Sequence, residues 1–182
     1  MKIITLNLNG IRSASRKDFF KWMARQRADA VCVQEIKAQA ADLSDAVRAP
    51  GRVHGHFHYA EKKGYSGVGV YCRRAPDRVV EGIGIREVDS EGRYLRVDLG
   101  ALSVVSVYLP SGSAGAHRQR AKFRFMELFL PHLKKLAAEG REVLLCGDWN
   151  IAHRAVFAAT SITPRRRATA GSACTAGARR TA

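Results

Sequence analysis

Four short apolar runs of this chain each end directly at a polar motif. The runs and the residues that follow them are Ile3–Leu6 before Asn7, Ala30–Val33 before Gln34-Glu35, Val104–Val107 before Tyr108, and Val143–Cys146 before Gly147-Asp148. Short apolar runs with many β-branched residues predict buried strands. Because α/β proteins place polar side chains at strand ends that meet in one crevice, we expect these motifs to converge.

The rest of the pattern predicts two main helices and a strand-rich middle. Ser15 is a candidate cap for a helix over Arg16–Arg27, and the helical periodicity of His117–Glu139 ends at Gly140. Further strands are predicted at Phe57–Ala60, Gly67–Cys72, Arg78–Ile85, Tyr94–Leu99 and Leu102–Tyr108. A strand–helix–strand start followed by successive strands indicates an α/β protein with a mixed sheet.

Composition divides the chain near residue 154. Residues 1–154 are predicted to form one folded domain, whereas residues 155–182 contain no Leu, Asp, Glu or Lys and show no hydrophobic period. A basic, low-complexity segment of this kind buries too little apolar surface to offset its chain entropy, so we expect it to be irregular. Its Ala, Arg and Thr content also fits a GC-rich gene read out of frame.

The chain carries a large excess of positive charge. It has 31 Lys and Arg against 16 Asp and Glu, a net charge of +15. Six of the basic residues follow His153, so residues 1–153 still hold 25 basic and 16 acidic residues, a net +9. This balance predicts a polyanionic partner. The four cysteines have no Cys-x-x-Cys spacing, which favours a reducing cytoplasm.

The polar motifs contain the groups that phosphodiester hydrolysis needs. Asn7 and Asn9 lie two residues apart and share one side of an extended strand, as do Asp148 and Asn150. Glu35 and Asp148 are the acids placed at strand ends, and Mg²⁺ often takes one or two carboxylates with waters and substrate phosphate. Any one of these residues alone is more often a turn residue. Four motifs together favour a metal-dependent site.

Five segments of the chain, in order, resemble the exodeoxyribonuclease III family of apurinic/apyrimidinic endonucleases, within the endonuclease/exonuclease/phosphatase superfamily. The segments are Asn7-x-Asn9-Gly10-Ile11-Arg12, Gln34-Glu35-Ile36-Lys37, Gly64-Tyr65-Ser66-Gly67-Val68, Tyr108-x-Pro110-Ser111-Gly112 and Gly147-Asp148-Trp149-Asn150-Ile151-Ala152-His153. The resemblance implies the mixed-sheet half of a four-layer α/β sandwich, truncated. It also implies Mg²⁺-dependent hydrolysis of DNA phosphodiesters in base-excision repair, at abasic sites and from 3′ ends, with Mn²⁺ as the alternative ion.

The resemblance further implies roles for individual residues. The implied metal ligand is Glu35, with Asn7 and Asn9 beside it. The implied catalytic residues are Tyr108, which would face the phosphate, and Asp148 with Asn150, which would transfer protons and position the nucleophile.

DNA contacts are predicted on the loops and helix around these motifs. Lys62-Lys63 lie beside Tyr65, an arrangement of basic and aromatic residues suited to nucleic acid. The residues predicted to contact DNA are Arg12, Lys62, Lys63, Tyr65, Ser111 and Lys122. Arg118, Arg120 and Arg124 belong to the same helix as Lys122, and for all four residues a solvated helix face is an equal alternative. The alternating His54, His56 and His58 could bind a metal, but they fit a solvated strand edge better.

The family pattern is incomplete in this sequence. No histidine follows His153, so the late Ser-Asp-His motif of the family has no counterpart. Losing a positioned general base costs about 10²–10⁴ in rate, so we expect a poor catalyst. A missing half of the sandwich would also expose an apolar sheet face.

Two other functions stay open at this point. One is a lipid or inositol phosphatase of the same superfamily, which is disfavoured by the basic charge and by the Tyr108-x-Pro110-Ser111-Gly112 and Asp148–His153 segments. The other is a truncated, non-catalytic product that binds nucleic acid by charge alone. In each case we expect a monomer. We also expect no membrane partner, because no run approaches the roughly 20 apolar residues of a membrane helix.

Overall fold

Two four-stranded sheets make up the framework of the chain. A computed structural model describes residues 1–112 and 115–151. The strands are β1 (Ile3–Asn7), β2 (Ala30–Gln34), β3 (His54–His58), β4 (Val68–Cys72), β5 (Arg78–Glu81), β6 (Tyr94–Leu99), β7 (Leu102–Tyr108) and β8 (Glu142–Asp148). The helices are α1 (Ile11–Arg16), α2 (Phe19–Gln26), α3 (Asp45–Arg48), α4 (Arg86–Asp89) and α5 (Ala116–Ala138), with a 3-10 turn at Ala40–Asp42.

Each sheet contains one parallel pair of strands at an edge. The first sheet has the order β1-β2-β4-β3, and the second has the order β5-β6-β7-β8. β1 runs parallel to β2 with Asn7 opposite Gln34, and β7 runs parallel to β8 with Tyr108 opposite Asp148. The remaining neighbours are antiparallel. The parallel pairs therefore bring the four polar motifs to the carboxyl ends of paired strands.

The two sheets pack face to face around a shared apolar core. Cys32 and Val70 of the first sheet share this core with Val97 and Val104 of the second. Helices cover the two outer faces, α1 and α2 on the first sheet and α5 on the second. The mixed α/β fold predicted from the sequence is confirmed. Each sheet covers the inner face of the other, but the edge strand β8 leaves Leu144 39% exposed, so the expected exposed apolar face stays a prediction.

The first predicted helix is divided in two. Ser15 does not cap a helix over Arg16–Arg27; α1 ends at Arg16, and α2 begins after Asp18, whose φ of 60° is left-handed. The break lets Ile11 of α1 and Phe19 of α2 both reach the core under the first sheet, where each is buried. The helical pattern is therefore interrupted at Lys17-Asp18, between these two buried residues, where the left-handed φ of Asp18 changes the direction of the chain.

Some sequence-based expectations fall outside the part of the chain that the structure describes. Residues 1–150 form one compact unit. The expected irregular segment 155–182 lies beyond the described residues, as does the predicted boundary at 154, and both stay predictions. Among residues 1–112 and 115–151, no helix is long and apolar enough to cross a membrane.

Candidate active site

The amide of Asn7 connects three of the four strand-end motifs. Its Nδ2 donates one hydrogen bond to Glu35 Oε1 and another to Asp148 Oδ2, both at 2.9 Å. The hydroxyl of Tyr108 donates to the same Glu35 oxygen at 2.7 Å. A continuous hydrogen-bond network therefore joins the last residues of β1, β7 and β8 to Glu35, which follows β2. The predicted convergence of the four motifs on one rim is found.

A buried glutamine below this network holds the two sheets in register. Gln34 is almost fully buried, and its Nε2 donates to Ser106 Oγ of the second sheet at 3.0 Å and to Thr5 Oγ1 at 3.2 Å. Buried polar groups of this kind need all their partners, so they specify one arrangement of the sheets. Gln34 precedes Glu35, and its contact with Ser106 fixes the spacing across the rim.

Left-handed residues turn the chain out of the strands at the site. Asn9, Glu35 and Asn150 have φ values of 47°, 53° and 48°. The side chain of Asn7 accepts a hydrogen bond from the backbone N–H of Asn9, and that of Asp148 accepts one from Asn150, each at 2.9 Å. Asn and Asp favour such turns because their side chains can bond to the backbone two residues on. The sequence thus encodes both the chemistry and the turns.

Lys37 supplies a positive charge that the sequence analysis did not select. Its Nζ lies 2.6 Å from Glu35 Oε2 and donates to Asn9 Oδ1, also at 2.6 Å. The ammonium group therefore compensates the Glu35 carboxylate within the network. Lys37 was visible in the Gln34-Glu35-Ile36-Lys37 segment, but its contact with Asn9 depends on the left-handed turn at Lys37 itself, whose φ is 47°.

Hydrogen bonds set the charge states of Glu35 and Tyr108. Partial burial opposes ionisation of Glu35, yet hydrogen bonds from Lys37 and Asn7 outweigh it and hold the pKa of the carboxyl below its usual value. Burial, reinforced by the hydrogen bond to Glu35, raises the pKa of Tyr108 well above its ordinary value. Glu35 is therefore an anion and Tyr108 a protonated donor at neutral pH.

The donor set of the rim fits a hard divalent cation. Glu35 and Asp148 both contact one Asn7 amide group, so their carboxylates lie close together. Mg²⁺ typically takes one or two carboxylates and completes its shell with waters and substrate phosphate. Residues 1–112 and 115–151 contain no cluster of three or more His, Cys, Asp or Glu suited to a metal.

A buried arginine packs behind Tyr108. Arg93 is only 1% exposed, and its guanidinium lies 4.9 Å from the centre of the Tyr108 ring. It donates to the Tyr108 carbonyl at 3.0 Å and to the Tyr65 hydroxyl at 2.8 Å, and it pairs with Glu91. Arg118 donates to the same Tyr65 hydroxyl at 3.1 Å. Arg93 therefore links the two tyrosines that the sequence placed at the site.

Sequence reasoning missed Arg93 because nothing in the motif Glu91-Gly92-Arg93 distinguishes a buried arginine from a surface one. Arginine is usually exposed, and burial here depends on partners from β7 and from the loop that carries Tyr65. A charged residue directly before a fully buried strand, β6, was the only available signal.

The predicted DNA contacts are distributed around the rim. Lys62 lies 5.5 Å above the Tyr65 ring, and Lys63 is exposed next to it. Arg12 lines a pocket of about 300 Å³ together with Arg16 and Lys37. These cations add positive charge beside the network, but Lys37 is paired with Glu35 and Arg12 lies 4.0 Å from Asp42.

The second-sheet side of the rim carries three of the predicted site residues, Lys122, Ser111 and Asn150. Lys122 Nζ donates to the Asn150 carbonyl at 2.7 Å, and Asn150 Nδ2 donates to the Leu109 carbonyl at 2.8 Å. Ser111 is half-buried and lies three residues after the end of β7. Lys122 therefore has a role within the protein, fixing the chain at Asn150. Arg124 on the same helix pairs with Glu87 at the exposed surface, which fits the solvated alternative for that residue.

The alternating histidines do not form a solvated edge throughout. His54 is exposed, but His58 is buried, and its Nδ1 lies 2.8 Å from the Tyr94 carbonyl. Burial and the neighbouring His54 lower the pKa of His56. The strand packs against the second sheet at His58, so side-chain alternation alone misjudged its exposure.

Comparison with known proteins agrees with this geometry. The Endonuclease/Exonuclease/phosphatase family matches residues 4–178. The chain belongs to this family. The resemblance drawn from the five sequence segments is thereby confirmed, since members of the family named for exodeoxyribonuclease and abasic-site endonuclease activity are similar to most of the chain.

Individual members of the family are longer than this chain. It is 36% identical to the exodeoxyribonuclease of Bacillus subtilis (strain 168) over 157 residues, which cover 86% of this chain and 61% of that protein. It is 33% identical to a DNA-(apurinic or apyrimidinic site) endonuclease of Dictyostelium discoideum over 157 residues, 84% of this chain and 42% of the relative. An AP endonuclease structure from Archaeoglobus fulgidus superposes with a TM-score of 0.75 at 25% identity, covering 85% and 60% of the two chains.

Proposed function

We propose that this chain forms the metal-binding and phosphate-facing part of a DNA phosphodiesterase of the repair type. The observation that carries the proposal is the network that joins Asn7, Glu35, Tyr108 and Asp148 on a basic rim. Relatives named as an exodeoxyribonuclease and as an abasic-site endonuclease support DNA as the substrate. A lipid or inositol phosphatase is disfavoured by the Tyr108-x-Pro110-Ser111-Gly112 and Asp148-Trp149-Asn150-Ile151-Ala152-His153 segments, which fit the nuclease relatives.

Glu35 is the proposed anchor for Mg²⁺, or alternatively Mn²⁺, with Asn7 or Asn9 beside it. An ion held there would stabilise the negative charge that develops on the phosphate oxygens. Lys37 competes for the same carboxylate, since its Nζ lies 2.6 Å from Glu35 Oε2. We therefore expect ion binding to release Lys37 toward the substrate phosphate.

The other catalytic steps are assigned to the protein's own side chains. Tyr108 stays protonated, so its hydroxyl can donate to a phosphate oxygen once it leaves Glu35. Asp148 is the proposed acceptor of the proton from the attacking water, and Asn150 holds its orientation through the N–H that it donates to Asp148 Oδ1. Arg12, Lys62 and Lys63 would hold the DNA backbone, with Tyr65 and Ser111 nearer the scissile phosphate.

Low turnover is part of the proposal. Among the described residues, no histidine is hydrogen-bonded to the network, and a positioned general base of that kind typically contributes about 10²–10⁴ in rate. Catalytic groups act as a unit, and an incomplete set does not retain a proportional share of the rate. The alternative is a product that binds nucleic acid by charge and does not cleave it. We place either form in the cytoplasm as a monomer.

The decisive assay measures incision of a duplex that contains one abasic site, with Mg²⁺, beside the full-length Bacillus subtilis relative. We expect slow incision that Asp148→Asn abolishes while DNA affinity is retained. Affinity should fall as salt rises, because phosphate contacts release counterions. Turnover within about tenfold of the relative, roughly 1.4 kcal/mol in barrier, would contradict the low-activity proposal. Undetectable incision with salt-dependent binding would favour the non-catalytic alternative.

A further inference from the structure

A second cavity lies away from the candidate active site. It has a volume of about 690 Å³ and opens on the outer face of the first sheet, between α2 and the segment around Pro50. Val31 of β2 lines it, whereas Glu35 of the active site follows the other end of the same strand. Four residues of extended strand separate the two positions by roughly 13 Å. Cavities of about 300–1,000 Å³ are the usual size for small-molecule sites.

Aromatic and aliphatic side chains form the floor of this cavity. Met23 and Val31 are buried there, next to Phe20 and Tyr71. The rings of Phe20 and Tyr71 meet edge to face, with centroids 5.8 Å apart. The Tyr71 hydroxyl donates to the Val47 carbonyl at 2.8 Å, so the ring is fixed in place. The floor can therefore take a flat apolar group without rearrangement.

The wall of the cavity is cationic. Lys21, Arg27, Arg52 and Arg73 line it, and no acidic residue does so. Within the described part of the chain, Arg27, Arg52 and Arg73 form no ion pair, while Lys21 pairs with Asp18 at 2.9 Å. Arg73 donates to the Arg27 carbonyl at 3.3 Å, which holds its guanidinium beside the opening. Three arginines without counter-charges around one apolar floor form an anion-binding wall.

We propose that this cavity binds a small aromatic anion of the chemical class of a nucleoside monophosphate. The apolar floor would contact the ring, and the unpaired guanidinium groups would take the phosphate through paired N–H donors and stack on the ring plane. The volume suits one such molecule and leaves no room for a duplex. The site is independent of the proposed nuclease function, because none of its lining residues belongs to the active-site network.

The test is titration of the whole chain with dAMP, followed by two-dimensional amide NMR. Adenosine and inorganic phosphate are titrated separately. Adenosine measures the binding of the ring without the phosphate, and inorganic phosphate measures the binding of the anion without the ring. We expect dAMP to shift the amide signals of Val31, Gly51 and Val53, which line the cavity, more than those of Asn9 and Lys37 at the rim. Each half-ligand should bind at least about tenfold more weakly than dAMP, since the floor and the wall act together.

Charge-reversal variants separate this site from general attraction to a basic protein. Arg52→Glu with Arg73→Glu should weaken dAMP binding at least about tenfold. Arg74→Glu with Arg86→Glu makes the same change in net charge at exposed positions outside the cavity, and it should change binding less than about twofold. All four positions are exposed, so the fold should survive, as a thermal melt would verify.

A variant that leaves the net charge unchanged tests whether the ligand occupies the cavity itself. Ala46→Trp would fill the cavity from an exposed position of α3 and should abolish the cavity shifts while leaving the rim unchanged. Equal loss from both charge-reversal pairs, shifts confined to Asn9 and Lys37, or no shift with about 10 mM dAMP would each overturn the proposal. Failure of this test would leave the abasic-site assay unaffected, because the two readouts use different residues.

Discussion

Replacement of Arg93 by methionine should destabilise the protein more than any exposed charge removal. Methionine has similar length, so the change removes the guanidinium and leaves little empty volume. The lost contacts are the hydrogen bonds to the Tyr108 carbonyl and the Tyr65 hydroxyl, and the ion pair with Glu91. The stacking of Arg93 on the Tyr108 ring is lost as well.

The expected loss is about 3 kcal/mol in the free energy of unfolding. Breaking a buried ion pair by removing one partner costs about 3–5 kcal/mol. The lower end applies here because the Glu91 side chain is 35% exposed and water can solvate it once Arg93 is gone. The Tyr108 carbonyl, by contrast, lies inside the protein and would lose a partner, at about 1–3 kcal/mol. For a chain of this size, about 3 kcal/mol lowers the melting temperature by roughly 6–12 °C.

Urea and thermal unfolding, followed by circular dichroism, measure this loss. Arg120→Met is the matched control, since Arg120 is exposed on α5 and its replacement should cost less than about 0.5 kcal/mol. A loss below about 1 kcal/mol for Arg93→Met would refute the reasoning. That result would mean that the cost of burying the guanidinium cancels the contacts it makes.

Three further changes test the site and the turns that build it. The pKa of Glu35 is lowered in the folded protein, so its stabilising effect is present above the unfolded pKa and is lost as pH falls. Glu35→Gln should therefore destabilise the protein near neutral pH, and in urea titrations the difference should shrink as pH falls through the lowered pKa of Glu35. Gly67→Ala should cost roughly 2 kcal/mol or more in thermal melts, because Gly67 has φ +81° and a methyl group would overlap Ile36. Asn7→Asp replaces a donor by a third carboxylate beside Glu35 and Asp148, so the melting temperature should fall without Mg²⁺ and rise more than that of the parent when Mg²⁺ is added. An unchanged response to Mg²⁺ would show that the ion binds elsewhere.

The alternation of apolar and polar residues was sufficient to define much of the framework. Tyr94–Leu99 and Leu102–Tyr108 were predicted with the bounds that the structure has. Both strands are almost fully buried, so nearly every residue in them is constrained to be apolar or paired. Where a strand is exposed, the constraint weakens: Arg78–Ile85 was predicted, but the strand ends at Glu81.

The sequence by itself also determined which polar residues meet. Asn7, Glu35, Tyr108 and Asp148 each follow an apolar run, and parallel strands carry such residues to one edge. The predicted closeness of Glu35 to Asn7 is found at 2.9 Å. The metal-binding and catalytic roles of these residues stay predictions, because a side chain's position does not establish what it binds.

Only the tertiary structure decided how the site is supported. Lys37 forms an ion pair with Glu35, and the guanidinium of Arg93 stacks on the Tyr108 ring. Gln34 joins the two sheets by its hydrogen bond to Ser106. Each of these contacts joins residues whose closeness depends on a turn or on the packing of two sheets. Local patterns record the burial and backbone preference of a residue, but they do not record which distant group satisfies its charge. For that reason the strand ends could be read from the sequence, while the partners behind them required the folded chain.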